Sequence, residues 1–340
     1  MVRHMQAVVF YGDGDSRVTS WPKPQVQSGT ALLRVEAAAL NRRDLWIVMG
    51  RYPGVKPPVV LGSDAVGVVE AVANDANREQ TSWCGQRVVV NPSLGWGADQ
   101  HRQGPDFEIL GSPRQGTFAQ WVVVPLEALH PAPKHLDLAQ CAALPLAGLT
   151  AYRALFTRAC VQPEERVLIT GIGGGVAQMA LSFARALGCR IAVTSADAAK
   201  RQAALQAGAD WAGDYTDPHW SAALQQEWGG VDVIIDGSAG PGLAQALEAA
   251  DYGARVVIYG GTAGTIDGIP PRVLFWKQLT MLGTTMGSDA DFAAMLRFVH
   301  KHQLPIVVDQ TYPLDQWPQA LQRLRSSAQT GKVVLRMSDE

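Results

Sequence analysis

Two rhythms of apolar positions divide this chain. Between residue 6 and about residue 127 the apolar residues come in short bursts rich in Val and aromatics. These are Val8-Val9-Phe10, Ala31–Val35, Ala65–Val69, Arg87–Val90 and Thr117–Val124, each bounded by Gly or Pro. Bursts of this kind predict the short strands of a compact barrel or sandwich. Between Asn91 and Gly116, Gly, Pro, Asp and Gln dominate without periodicity, which predicts a long surface loop. From about residue 128 near-continuous apolar strands alternate with helical segments. The strands are Arg166–Thr170, Ile191–Thr194, a weak one around Trp211, Val231–Ile235, Arg255–Ile258 and Leu279–Gly283. Helical periodicity covers Leu138–Ala143, Thr150–Ala159, Ala198–Ala207, Pro218–Trp228 and Gly242–Ala250. Strands without alternation must be covered on both faces, so the expectation is an α/β doubly wound parallel sheet of the Rossmann type. After Asp289 the alternation fades into a helix Phe292–His300, an extended Ile306-Val307-Val308, a helix around Trp317–Leu324 and a last strand Lys332–Leu335. These elements are expected to complete the first domain (1–127 with 288–340), leaving 128–287 as an inserted nucleotide-binding domain.

The most informative element is Leu168–Ala177. There an apolar strand runs through Gly171, Gly173, Gly174 and Gly175 into an amphipathic helix at Val176. Glycines let the backbone approach a pyrophosphate, and the helix that follows presents free N–H groups and the positive end of its dipole. The flanks favour this over an ordinary strand–turn–helix. Val176, Ala180, Phe183 and Leu187 share one helical face, while Ala177, Ala180 and Ala184 keep a side thin enough to lie on a sheet.

An NAD site carries an Asp or Glu at the end of the second strand, about 20 residues past the glycines. Here that strand ends Val193-Thr194-Ser195-Ala196, and no carboxylate comes before Asp197. Ser195 with Lys200 and Arg201 one helical turn on suits the extra phosphate of NADPH, and Tyr215 stands within reach of the same group. NADPH is expected ahead of NADH, although Asp197 and Arg201, at i,i+4, also describe a solvated helix pair.

Composition narrows the class. A chain of 340 residues can build two cores. Its 29 basic and 31 acidic residues, with no long run of either sign, argue against nucleic acid or an anionic membrane as the main partner. No apolar run reaches the ~18 residues of a membrane span. Met1–Met5 lacks the apolar core of a signal peptide, so a cytoplasmic protein is expected. Cys84, Cys141, Cys160 and Cys189 form no C-x-x-C, and the seven histidines are scattered. Inert buried thiols are expected rather than a metal cluster.

Several stretches, in order along nearly the whole chain, resemble the medium-chain dehydrogenase/reductase superfamily and its zinc-free quinone oxidoreductase branch. They are Ala39–Asp44, Gly50–Pro53, Leu61–Val69, Gly116–Ala119, Leu144–Tyr152, the glycine motif, Tyr259–Thr262 and Gly331–Val334. The resemblance implies a GroES-like barrel domain formed by both chain ends, an inserted NAD(P)-binding domain and an active site in the cleft between them. It also implies a homodimer through the nucleotide-domain edge strands near Leu279–Thr284. Where the family's alcohol dehydrogenases hold a catalytic zinc, the corresponding positions look like Asn41, Ser63 and Leu146, none of them a good zinc ligand. Asp64 cannot hold zinc alone, so no metal is expected.

Without a Lewis acid, simple alcohol oxidation becomes an unfavourable task, whereas a quinone or enone disperses the charge of an arriving hydride onto its own oxygen. Candidate catalytic residues are Asn41, Asp44 and Tyr52. Asn41 either donates to substrate oxygen or nicotinamide ribose, or caps a turn. Asp44 is either catalytic or paired with Arg43 or Arg42, and Tyr52 either lines the acceptor pocket or packs. Trp46, Trp96 and Trp276 either shape that pocket or belong to the core. Cofactor positions implied by the resemblance include Thr150, Gly260, Gly261, Thr262 and Lys332. The competing readings are a zinc-type alcohol dehydrogenase with misaligned ligands and a protein that binds NADPH but serves as a structural or interaction partner.

Overall fold

Strand Thr30–Ala39 organises the first half of the chain. It pairs antiparallel with Asp64–Val72, Trp121–Pro125 and the C-terminal Lys332–Arg336. Asp64–Val72 pairs onward to Arg87–Val90, and Lys332–Arg336 runs parallel to Val308–Pro313. The C-terminal segment therefore completes the sheet begun near the N-terminus. This computed structural model describes residues 3–73 and 77–337 and separates into two units, Met1–Ala147 with Gly287–Glu340, and Gly148–Met286. Residues 128–147 thus fall with the terminal unit, where helix Leu138–Ala143 packs on Thr30–Ala39 and Asp64–Val72. The core of that unit is built from Val8, Phe10, Leu33, Leu61, Val88 and Val122, with Phe118 and Trp317 in ring contact at 5.4 Å. Gly67 has no room for a side chain, since a Cβ there would lie 2.2 Å from the Arg34 carbonyl on the neighbouring strand.

The segment Asn91–Gly116 is not the simple surface loop its composition predicts. Ser93–Leu94 pairs with Glu108–Ile109, Leu94, Trp96 and Leu110 are buried, and Trp96 meets Phe107 edge-on at 5.4 Å. Three apolar anchors without periodicity hold it down, while the stretches Gly97–Asp106 and Pro113–Gln115 stay largely exposed. Among the elements unannounced by pattern are strand Asp15–Pro22, which pairs with His4–Gly12 but carries mostly polar residues, and the short helix Arg42–Val48, which opens with two arginines.

The second unit is a six-stranded parallel sheet. Its order is Trp211–Gly213, Arg190–Thr194, Arg166–Ile169, Val231–Asp236, Ala250–Ile258 and Thr280–Gly283. Chain order reverses between Arg166–Ile169 and Val231–Asp236, so right-handed crossovers put the helices of the two halves on opposite faces. This is the Rossmann arrangement. The predicted helix Thr150–Ala159 is instead an α-helix Pro145–Tyr152 that widens into a π-helical stretch Arg153–Arg158. Among the described residues no helix is long and apolar enough to cross a membrane.

Candidate active site

In the first unit a buried polar cluster gathers around Lys332. Its ammonium donates to the Leu40 carbonyl at 2.7 Å, Asn41 Oδ1 at 2.5 Å and Asp64 Oδ2 at 2.9 Å. Asn41 Nδ2 also donates to Asp64 Oδ2 at 2.9 Å, and Asp64 Oδ1 accepts from the Leu146 N–H at 2.8 Å. Asp64 is fully buried, and the Lys332 side chain is 4% exposed. All three protons of Lys332 are therefore spent on protein oxygens. Lys332, a cofactor position by resemblance, here ties the C-terminal strand to the Asn41 turn and the Asp64 strand. The Asn41 amide is likewise committed, to Lys332, Asp64 and, at 3.4 Å, the Ala39 carbonyl.

Asp44 turns back to the start of its own helix, where Oδ2 accepts from the Asn41 backbone N–H at 2.7 Å. Of the two readings of Asp44, the ion pair with Arg42 or Arg43 does not form among the described residues. Arg42 reaches the Leu324 carbonyl and Ser327, and Arg43 reaches Ser63 Oγ at 2.7 Å and the Leu110 carbonyl at 3.0 Å. Asp44 Oδ1 is buried without a partner. Burial pushes the Asp44 carboxyl up to about 6, against the opposing pull of the Arg43 charge and the Asn41 N–H. Tyr52 is half-buried and lays its ring over the Arg43 guanidinium, 4.9 Å from ring centre to Cζ.

The second unit presents the glycine turn. Gly171 follows strand Arg166–Ile169 and Thr170 and adopts φ +65°, a left-handed conformation open to glycine without a Cβ penalty. The Gln178 side chain braces the turn by donating to the Ile172 carbonyl at 2.7 Å. Gly174 is the N-cap of helix Gly175–Leu187 and has no side chain to satisfy it. The N–H groups of Gly175, Val176 and Ala177 are then left to solvent or to an anion, and a Cβ at Gly174 would meet nothing nearer than 3.8 Å. An open backbone cradle at a helix start, formed by Gly171, Gly173, Gly174, Gly175 and Val176, has the shape and free N–H groups that fit a dinucleotide pyrophosphate.

At the end of strand Arg190–Thr194, Ser195 is buried and its hydroxyl accepts from the Asp197 N–H at 3.2 Å. Asp197 caps helix Ala198–Gln206 through the Ala199 and Lys200 N–H groups. Arg201 donates to the Ser195 carbonyl and pairs with Asp214 at 3.0 Å, so the Asp197–Arg201 helix pair does not form. Asp214 sits below the usual carboxylate range, held there by Thr216 first and by Arg201. Tyr215 beside it is 50% exposed.

Asp236, which none of the sequence motifs includes, ends strand Val231–Asp236. It accepts from Thr170 Oγ1 at 2.6 Å and from the Ser238 and Ala239 N–H groups at 3.1 and 2.6 Å. It fixes Ala239 at φ +52° and couples the glycine turn to the next strand end. An acid closing the apolar run Val233-Ile234-Ile235 is the signal that marks it. Gly260 packs so closely that a Cβ would lie 2.6 Å from the Gly237 carbonyl, and Thr262 faces the same carbonyl at 3.5 Å. Thr150 is buried in helix Pro145–Tyr152. Gly171, Ser195, Asp236 and Gly260 therefore all sit at carboxyl ends of parallel strands, two of them at the point where strand order reverses, the usual place for a nucleotide. Of the three tryptophans, Trp46 is half-buried, Trp96 is core, and Trp276 is exposed at 59%.

Residues 27–134 match the profile of the alcohol dehydrogenase GroES-like domain and residues 175–301 that of the zinc-binding dehydrogenases. The chain is 30% identical over 332 residues to a zinc-type alcohol dehydrogenase-like protein YogA of Leptosphaeria maculans, covering 92% of each. It is 30% identical over 315 residues to the quinone oxidoreductase of Homo sapiens, covering 89% of this chain and 88% of that protein. The crystal structure of an NAD-dependent alcohol dehydrogenase matches with a TM-score of 0.90 at 33% identity, covering 98% of this chain and 100% of that one. The chain belongs to the medium-chain dehydrogenase/reductase superfamily, and it is an oxidoreductase of the NAD(P)H-using kind. Among the described residues no group of three or more His, Cys, Asp or Glu side chains is placed to hold a metal ion.

Proposed function

We propose that this protein is an NADPH-dependent, zinc-independent reductase of quinones or α,β-unsaturated carbonyls. The observation that carries the reading is the donor set around Lys332. A buried ammonium is seated among Leu40, Asn41 and Asp64. Beside it stand Ser63, hydrogen-bonded to the Leu110 carbonyl, and Leu146, neither of them a zinc ligand. A divalent cation would have to displace or deprotonate that lysine, so no step is routed through zinc. When bound, the nicotinamide supplies the hydride. The protein's part is to seat the pyrophosphate on the Gly171–Val176 turn and the adenosine end near Ser195, Lys200 and Tyr215. Conjugated acceptors suit such a site because their own oxygen takes up the charge and needs only a hydrogen bond. The likeness to human quinone oxidoreductase supports this. The likeness to zinc-type and NAD-dependent alcohol dehydrogenases supports the second reading, a zinc alcohol dehydrogenase.

Loss of reduced-nicotinamide absorbance, followed with quinones, enones, aldehydes and alcohols, with either nucleotide and with and without chelator, decides between them. Quinone or enone turnover indifferent to chelator is expected. Chelator-sensitive alcohol oxidation with one tightly bound zinc per chain would establish the second reading. For Lys200→Ala, NADPH affinity should weaken by about tenfold, the worth of one charge-assisted contact, with NADH affinity unchanged. An unmoved ratio in nucleotide titrations would remove Lys200 from the phosphate site.

We also propose a homodimer through the edge of the parallel sheet. Strand Thr280–Gly283 ends the sheet with no further strand beside it among the described residues, and the same unit exposes Tyr252, Phe275 and Trp276, at 68%, 65% and 59%. Light scattering should give twice the chain mass for the wild type and the chain mass for Phe275→Glu. A wild-type monomer at micromolar concentration would exclude it.

A further inference from the structure

We infer that Arg43 is an anchor for a carboxylate, so that the acceptor reduced by this protein carries an acidic group. The inference supplies a substrate class to the reductase reading. It rests on that reading for the reaction, and on Arg43 alone for the binding.

Arg43 is 7% exposed. A guanidinium does not lose its proton in a protein, so the charge stays and must be solvated by neighbours. One nitrogen is provided for, since Nη1 donates to Ser63 Oγ at 2.7 Å and to the Leu110 carbonyl at 3.0 Å. The other two, Nε and Nη2, are buried and have no hydrogen-bond partner. These two nitrogens form one edge of the guanidinium plane, the edge that presents two parallel N–H groups to a carboxylate. Among the described residues no carboxylate lies within ion-pair distance of Arg43. Asp44, its chain neighbour, moderates the charge from a distance: its Oδ2 is committed to the Asn41 N–H, and its Oδ1, also buried without a partner, makes no hydrogen bond to Arg43.

The far end of the guanidinium is thus pinned, one face is covered by the Tyr52 ring, and the bidentate edge is unspent. An unpaired buried cation is costly, so such an edge is kept where something planar and anionic completes it. Entry requires the loop bearing Tyr52 to move. Gly50 and Gly54 bracket that residue at φ +68° and +74° in open space, positions where the backbone turns without a Cβ penalty. The carboxylate is held and not transformed, and a flat conjugated system attached to it would meet the Tyr52 ring.

The test is calorimetric titration of the nucleotide-free protein with benzoate and with its neutral isostere benzamide. Benzoate is expected to bind at least about tenfold more tightly than benzamide, as for a charge-assisted bidentate pair. Arg43→Met should erase that preference. Arg43→Lys, which keeps the charge without the fork, should retain only part of it. Equal binding of the two probes to the wild type, no benzoate heat at tens of millimolar, or a preference that survives Arg43→Met would each overturn the assignment. The wild-type comparison stands even if a variant fails to fold. Failure of the redox reading would appear in the acceptor panel and leave this titration unaffected.

Discussion

Lys332→Met is expected to cost on the order of 3–5 kcal/mol of folding stability, the range for removing one partner of a buried ion pair. Methionine is close to lysine in length and fills the space, so the loss is electrostatic. Asp64 would be left fully buried with only the Asn41 Nδ2 and Leu146 N–H donors. The Leu40 carbonyl and Asn41 Oδ1 would lose their donor as well. Denaturant titration is the measurement, and a second variant makes it diagnostic. Lys332→Met combined with Asp64→Asn should recover much of the loss, because removing both charges avoids the stranded carboxylate. A cost under about 1 kcal/mol for the single change, the level of a surface pair, would show that Lys332 is not the buried counter-charge described here.

The contribution of Asp44 to stability should fall as pH rises through the window its carboxyl sets. Its carboxyl is raised by burial from 3.8 to about 6. The unfolded chain releases that proton near 3.8, whereas the folded protein holds it to about pH 6, so across this interval the native state binds more protons. The stabilisation is complete below the lower value and lost as pH passes the upper one, a change on the order of 3 kcal/mol. Asp289, also raised by burial, adds a slope of the same sign, so the informative quantity is the difference between wild type and Asp44→Asn. The variant cannot ionise there, and its curve should be flatter between about pH 4 and 6 and approach or exceed wild type at about pH 7. Parallel curves would mean that Asp44 titrates normally in the folded protein.

The parts of this molecule legible in its sequence are those governed by neighbours along the chain. The Val-rich bursts announce strands because alternate or continuous burial is written at a period of two residues. The run from Leu168 to Ala177 announces a nucleotide turn because Gly171 needs a left-handed φ and Gly174 opens a helix without a cap. The segment Asn91–Gly116 departs from its expected loop for the converse reason. Leu94 and Leu110 are buried in a core cluster shared with distant strands, and no local period records that.

The destinations of the charged side chains belong to the tertiary structure. Asp44 could have met Arg43, yet the helix start offered a nearer N–H donor and took it. Arg201 stands one turn from Asp197 and instead finds Asp214, because Asp197 is already capping the helix. Lys332 pairs with an asparagine 291 positions away. The sequence by itself determined two kinds of sheet and a phosphate-binding turn, since backbone conformation and burial period are local properties. Only the tertiary structure decided which buried charge is matched and which, at Arg43, is left open. Charge pairing inside a protein is a competition among all groups that folding brings within reach, and sequence distance does not enter that contest.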